Sequence, residues 1–244
     1  MLFTVIRTEC MKLRRALVWI AFLTLPLMAA VMGTFNYLQN LGVLKREWFS
    51  LWTQHTIFSS FFFLPALVGV LAAYQWRLEH RENNWNALMC YPVPRWMLLL
   101  GKLAVTGGML ALSLAFSGLL FYLSGRYASL RGEPPAALFR WLLLGCCGGL
   151  CIASAQLYLS MRIRSFAVPV GISLLGGILG LIICNYGYGL FCPYSLLALG
   201  MDANGRGDLS VAQTLPFLLS CLAYTTLFFL LSLYSLKKRD VETR

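Results

Sequence analysis

Long apolar runs alternate with short polar segments along the whole chain, and the runs set the architecture. A bilayer core of about 30 Å takes about 20 apolar residues in a helix. Six runs reach that length: Ala16–Tyr37, Ile57–Trp76, Leu98–Leu123, Trp141–Ser160, Phe166–Cys184 and Leu215–Leu236. Together they hold more than half of the 244 residues. The pattern predicts an all-α polytopic membrane protein, a single six-span transmembrane domain over residues 1–244. Only Lys102, near one end of the third run, carries charge inside a span, and its long stem lets the ammonium snorkel to the head groups. The first run is too long for a signal peptide and fifteen residues precede it, so it reads as a retained span.

The segments between the runs carry their own patterns. In Met1–Arg15, Leu2, Ile6, Cys10 and Leu13, followed by Leu17, fall at helical spacing, with Arg7, Thr8, Lys12 and Arg15 off that stripe. This predicts an amphipathic helix on the membrane face; a disordered basic leader is the alternative. In the loop Arg77–Met97, Leu78, Trp85, Leu88 and Met89 can line one helical face. Glu79 and Glu82 would sit near the start of that helix, and Pro92 and Pro94 stop it. Such a helix suits partner docking, and a solvated connector fits the pattern equally well. The loop Met161–Ser165 is too short to hold a site. On the opposite side lie Leu38–Thr56, Ser124–Arg140 and Asn185–Thr214, the last partly apolar, with Pro193–Met201 suited to a short helix dipping into the outer interface.

Charge fixes the orientation. Fourteen Lys and Arg residues fall on the side of both termini and six on the other, so both termini are expected in the cytoplasm. The net charge of +11 would suggest nucleic acid in a soluble protein; placed between apolar runs, it suits anionic lipid head groups. With 59% hydrophobic and 12% charged residues, and a mean hydropathy of +0.71, a soluble enzyme or a nucleic-acid-binding domain is excluded.

Candidate catalytic chemistry is sparse. No phosphate-binding loop is present, since Gly101-Lys102 lacks the earlier glycine and the hydroxyl, so ATP hydrolysis is not expected on this chain. His55 and His80 fall on opposite sides of the membrane, and no Ser/His/Asp set or acidic magnesium cluster is visible. No acidic residue lies within a predicted span, which argues against a proton or sodium relay. Cys147 and Cys151 have metal-compatible spacing, but cysteine is also a common small apolar residue in spans. Cys184 and Cys192 lie where a disulfide is permitted. Gly145 with Gly149, and Gly176 with Gly180, let helices approach closely, as a dimer seam, a flexing gate or packing within one chain.

Three segments in order carry a family resemblance. Glu9-Cys10-Met11-Lys12-Leu13-Arg14-Arg15, followed by a span with Pro26 and Gly33, resembles the start of the ABC-2 type permeases. Glu82-Asn83-Asn84-Trp85-Asn86-Ala87-Leu88-Met89-Cys90-Tyr91-Pro92-Val93-Pro94-Arg95, with Lys102 seven residues on, is similar to that family's signature, with Asn84 where Thr or Ser is expected. Cys192-Pro193-Tyr194-Ser195 resembles a Pro-Trp-Ser element with Tyr for Trp.

The subgroup most resembled is the lantibiotic-immunity and bacitracin-type permeases. The resemblance implies a bacterial cytoplasmic-membrane permease paired with a second permease subunit, itself or a paralogue, above a dimer of separate ATPase subunits that bind ATP and Mg. Glu79, Glu82, Asn84, Trp85, Leu88, Pro92 and Arg95 would belong to the coupling element. Glu9, Lys12, Arg14 and Arg15 would belong to a connecting helix, and Pro193 and Tyr194 to an external gate. The implied activity is export or membrane clearance of an amphipathic antimicrobial peptide, with no cofactor on this chain. A drug or lipid-like cargo, or a non-ABC scaffold or channel, is the alternative.

Overall fold

The computed structural model describes residues 1–14, 16–45, 47–81, 90, 92–205 and 211–238. Among the described residues there are helices and no strand. In order they are α1 (Leu2–Leu13), α2 (Val18–Gln39), α3 (Glu47–Phe58), a π-helical turn (Ser59–Phe63), α4 (Leu64–His80), α5 (Arg95–Tyr127), α6 (Leu138–Arg162), α7 (Ala167–Asn185), a 3₁₀ turn (Gly189–Phe191), α8 (Leu196–Gly200) and α9 (Val211–Lys238). Among the described residues, six helical rods are long and apolar enough to cross a membrane, one of them formed by α3, the π-turn and α4 together.

All six predicted spans are present. The second differs most, because its rod runs from Glu47 to His80, 34 residues against the predicted Ile57–Trp76. The segment expected as the loop Leu38–Thr56 is therefore largely helix. Hydropathy misses it because Thr53, Gln54, His55 and Thr56 interrupt the apolar run. Tertiary contacts satisfy them: Asn36 Nδ2 donates to Gln54 Oε1 at 2.5 Å, and His55 Nε2 lies 2.9 Å from Thr34 Oγ1. In lipid, helical backbone with internally paired side chains is permitted.

The core sits around α6, which packs against α4, α5, α8 and α9, while α7 packs on α4 and α1 on α5. At the end of the bundle away from α1, Trp52 stacks on Trp141 (5.4 Å) and meets Phe121 edge-on (5.0 Å), with Trp48 also edge-on to Phe121 (5.4 Å). This aromatic cluster fastens α3, α5 and α6 at the far end.

Close approach through glycine organises the segment after α7. A Cβ at Gly148 would run into the carbonyl of Leu196, and one at Gly200 would lie 2.5 Å from the carbonyl oxygen of Leu144. The short helix α8 is thereby seated directly on α6. Gly148 lies ten residues into α6, about 15 Å from its first residue at about 1.5 Å per residue. The Pro193–Met201 segment thus packs directly against the bundle. Gly176 and Gly180 of α7 receive the ring and backbone of Tyr194, while Gly145 faces the side chain of Met201 and Gly149 that of Leu110, so both glycine pairs serve packing within this chain.

Candidate functional site

At the α1 end, α4 stops at His80 and α5 begins at Arg95, so the connection between them leaves and re-enters the bundle at one place. Pro94 is the N-cap of α5 and the residue before it cannot continue a helix easily, which fixes this re-entry point. Pro92 and Arg95 are exposed there. Four charged side chains lie just inside. Lys102 of α5 is fully buried and donates to Glu9 Oε2 at 3.0 Å and Glu79 Oε1 at 2.9 Å. Lys12 of α1 donates to Glu9 Oε1 at 2.6 Å and to Glu79 Oε1 at 2.5 Å.

The cluster is neutral overall and joins three helices through alternating charge. Glu9 and Glu79 are 2% and 5% exposed, a degree of burial that carboxylates tolerate only when paired. Lys102 Nζ also lies 5.0 Å from the centre of the Trp76 ring, a cation–π contact in a water-poor setting. Below it, Gln75 Nε2 donates to Thr106 Oγ1 at 2.8 Å, which itself donates to the Lys102 carbonyl at 2.9 Å. Burial works against the Lys12 ammonium, but Glu9 and Glu79 outweigh it and hold its pKa above the ordinary 10.5. A raised lysine pKa means the folded state holds this proton more tightly. The Lys12 contribution is complete below pH 10.5 and lost only as pH climbs through the higher folded value.

α1 is positioned by packing. Its inward stripe is the half-buried Leu2, Val5 and Ile6 with the buried Glu9 and Leu13, Lys12 lies at its edge, and the side chain of Val5 fills the space over Gly101. This corrects the predicted stripe: Cys10 and Leu17 are exposed, Leu17 by 80%. The stripe is turned because α1 presents a carboxylate to α5, a choice that apolar periodicity does not register. Arg14 is exposed and Trp19 Nε1 donates to the Leu13 carbonyl at 2.9 Å, closing the helix end.

The expectation that Lys102 snorkels to the head groups is overturned, since its side chain is 0% exposed and turns inward to two carboxylates. Glu79 sits in the last turn of α4, not near the start of a separate helix. Glu82, Asn84, Trp85, Leu88 and Arg15 lie outside the described residues. The signal that would have found the cluster was Lys102 itself: a lysine within an apolar run calls for a buried counter-ion.

A second polar lock holds the segment after α7. Gln156 Nε2 of α6 donates to Tyr194 Oη at 2.6 Å, while Gln156 Oε1 is buried with no partner among the described residues. Ser195 Oγ donates to the Gly189 carbonyl at 2.6 Å, and Trp52 Nε1 donates to the Met201 carbonyl at 2.8 Å. Pro193 and Tyr194 are half-buried, with Tyr194 against α7 and α6. Tyr194→Phe should cost about 1–3 kcal/mol, because the buried Gln156 amide loses its acceptor. Thermal unfolding in detergent measures this, and an unchanged transition would remove the lock.

Among the described residues no group of three metal-binding side chains is present. All eight cysteines are free thiols; Cys151 Sγ donates to the Cys221 carbonyl at 3.4 Å, and Cys184 Sγ accepts from Asn204 Nδ2 at 3.6 Å.

A family model described as ABC-2 family transporter protein matches residues 5–180. The chain belongs to the ABC-2 transporter family. The match spans α1 to most of α7 and contains every residue of the charge cluster. No curated protein matches the chain. As an ABC-2 membrane component, this permease is of a kind that associates with an ATP-binding-cassette ATPase and is not itself the catalytic unit. Within the permease, the charge cluster joins the two helices that flank the α4–α5 connection to the helix at the N-terminal end.

Proposed function

We propose that this permease converts movement of a docked ATPase, through the α4–α5 connection, into movement of its membrane helices. The charge cluster carries this reading. Because Glu9, Lys12, Glu79 and Lys102 bind α1, α4 and α5 into one joint, a force on the connection displaces all three together. Arg95 and Pro92 are exposed at the mouth of the connection, where a partner can reach them. Glu82, Asn84, Trp85 and Leu88 supply the remainder of the docking element, and Arg14 and Arg15 the adjoining basic face. ATP and Mg belong to the ATPase dimer.

The long rods give the movement a route. α4 continues through the π-turn into α3, whose Trp52 holds the Met201 carbonyl, so displacement at the joint reaches the segment bearing Pro193 and Tyr194. That segment acts as the gate on the outer side, in a bacterial cytoplasmic membrane with both termini inside, and a second permease subunit completes the path. The cargo is an amphipathic antimicrobial peptide cleared from the membrane. Supporting this are apolar runs whose one charge, Lys102, is paired inside the bundle, short outer loops and the resemblance to immunity-type permeases. A drug or lipid-like cargo suits the same architecture.

Cysteines placed at Arg81, Pro92 and Gly205 test the reading in cells producing the whole transporter. Cross-linking to the ATPase is expected from Arg81 and Pro92, and labelling by an impermeant reagent only at Gly205. Tolerance to the cognate peptide should rise, and an inactive ATPase should abolish the gain. Absence of ATPase cross-links in an assembled, ATP-hydrolysing complex would sink the coupling assignment. Unchanged tolerance across a panel of lantibiotics and bacitracin-like peptides would sink the cargo class.

A further inference from the structure

Two of the membrane-spanning rods carry a break in their backbone pairing at one depth. In α2 it is Pro26, which has no N–H to give to the Phe22 carbonyl one turn back. In the second rod it is the π-turn Ser59–Phe63, followed at once by Leu64 and Pro65. Pro65 likewise has no N–H for the Phe61 carbonyl. That carbonyl points sideways at α7, where a Cβ on Gly177 would lie 2.2 Å from its oxygen. Thr56 and Ser60 donate to the carbonyls four residues back, of Trp52 at 2.7 Å and of Thr56 at 2.6 Å, a pairing that favours a bend. Pro26 and Ser59 line the same small chamber, with His55, Thr56 and Ser117, so the two breaks face each other. Backbone groups uncovered there by a change of bend meet hydroxyls instead of lipid, the condition under which irregular backbone is tolerated at membrane depth.

Beyond the breaks the two rods are stitched together. Thr34 is bonded to His55 and Asn36 to Gln54, and a Cβ on Gly33 would lie 2.8 Å from the His55 backbone. The outer part of α2 and the whole of α3 therefore form one hairpin, with a weak point at the base of each arm. Its ties to α5 and α6 are aromatic. Trp48 and Trp52 lay their rings on Phe121 and Trp141. Their indole N–H groups donate to the carbonyls of Arg131 at 3.1 Å and Met201 at 2.8 Å, both outside the long helices. Ring faces slide over one another without leaving a charge unpaired. The inner end of the same rod is held differently, by four interlocked charges that cannot part without that cost.

We infer that this hairpin is a moving arm, which tilts as one body about Pro26 and the π-turn while α4 stays with the charge cluster. Trp52 carries the tilt to Met201, at the end of the segment that bears Tyr194. From Pro26 to Gln39 the arm is about 20 Å long at about 1.5 Å per residue, so a tilt of about 20° moves its tip by about 7 Å. What drives the tilt rests on the coupling reading; the arm itself belongs to the permease alone.

The test attaches spin labels through unnatural amino acids, which spares the native cysteines, to the permease in lipid nanodiscs. Val43, at the tip of the hairpin, and Phe139, in the first turn of α6, are both strongly exposed. Their distance distribution, read by pulsed electron paramagnetic resonance, should show two maxima about 7 Å apart. The pairs Tyr127–Phe139, from α5 to α6, and Phe35–Glu47, within the hairpin, should each show one narrow maximum; all these positions are exposed. Pro26→Ala with Pro65→Ala restores both N–H donors and should leave a single Val43–Phe139 maximum. Adding the ATPase and ATP should shift the populations of the two maxima. One narrow Val43–Phe139 maximum in the isolated permease and in the cycling complex overturns the arm and leaves the coupling reading untouched. So do two maxima that persist with both prolines replaced, which would place the bending elsewhere, or a broad Phe35–Glu47 distribution, which would divide the hairpin. Two maxima that ignore ATP keep the arm and count against the coupling reading.

Discussion

Lys102→Met should destabilise the permease by about 3–5 kcal/mol, the usual consequence of removing one partner from a buried ionic group. Glu9 and Glu79 are then left facing the single ammonium of Lys12, at 2.6 and 2.5 Å, with no second cation between them. One carboxylate must take up a proton or draw in water, and either disturbs the seat of α1 on α5. Unfolding in detergent followed by tryptophan fluorescence measures the loss, and a change below about 1 kcal/mol, the scale of an exposed pair, would show the cluster to be a surface feature.

The double variant Lys102→Met with Glu79→Gln separates stability from coupling. It removes one charge of each sign and leaves the Glu9–Lys12 pair in place, so much of the stability should return. If the cluster is the joint between the ATPase and the helices, stimulated ATP hydrolysis and transport in the assembled complex stay low although the protein is folded. Recovery of both properties together would reduce the cluster to a structural role.

Gly148→Val should also be damaging, through packing alone. The added side chain meets the carbonyl and carbon of Leu196, which are backbone atoms and cannot rotate aside. α8 must lift off α6, and with it the Trp52–Met201 and Gln156–Tyr194 hydrogen bonds are pulled apart. Overpacking of this kind costs about 1–3 kcal/mol, and more where the obstruction is backbone. Gly42→Val is the control, since a Cβ there meets nothing within 4 Å. The readouts are thermal unfolding and protease access to residues 189–203. An unshifted transition with unchanged protection would show that α8 is not held by close approach.

Several features were legible without coordinates because they are local. An apolar run long enough to cross lipid must be helical, since the bilayer offers its backbone no other hydrogen-bond partner. All six spans and the all-helical class follow from that constraint, and the N-terminal helix from its apolar residues at helical spacing. The resemblance read from the ordered motifs pointed to the family, and the match over residues 5–180, which contains Glu9 and Arg95 and ends before Tyr194, bears the family out.

Other features needed the folded chain, because their partners are distant in sequence. Lys102 finds Glu79 23 residues away and Glu9 93 residues away, and no periodicity links the three. Read singly, Lys102 was a snorkelling cation and Glu79 the edge of a loop; together they are a buried joint, since each charge is tolerable inside only beside the other. The second span was read short because His55 and Gln54 count as polar in a run, whereas Thr34 and Asn36 satisfy them across a helix seam. The glycines were legible as sites of close approach, but only tertiary structure decided that Gly148 receives Leu196 and Gly176 receives Tyr194. Composition and local pattern therefore determine what enters the membrane and as which element, because that free energy is summed along the chain. Which charges and small residues meet is decided by packing, because a buried contact is worth having only when both partners arrive.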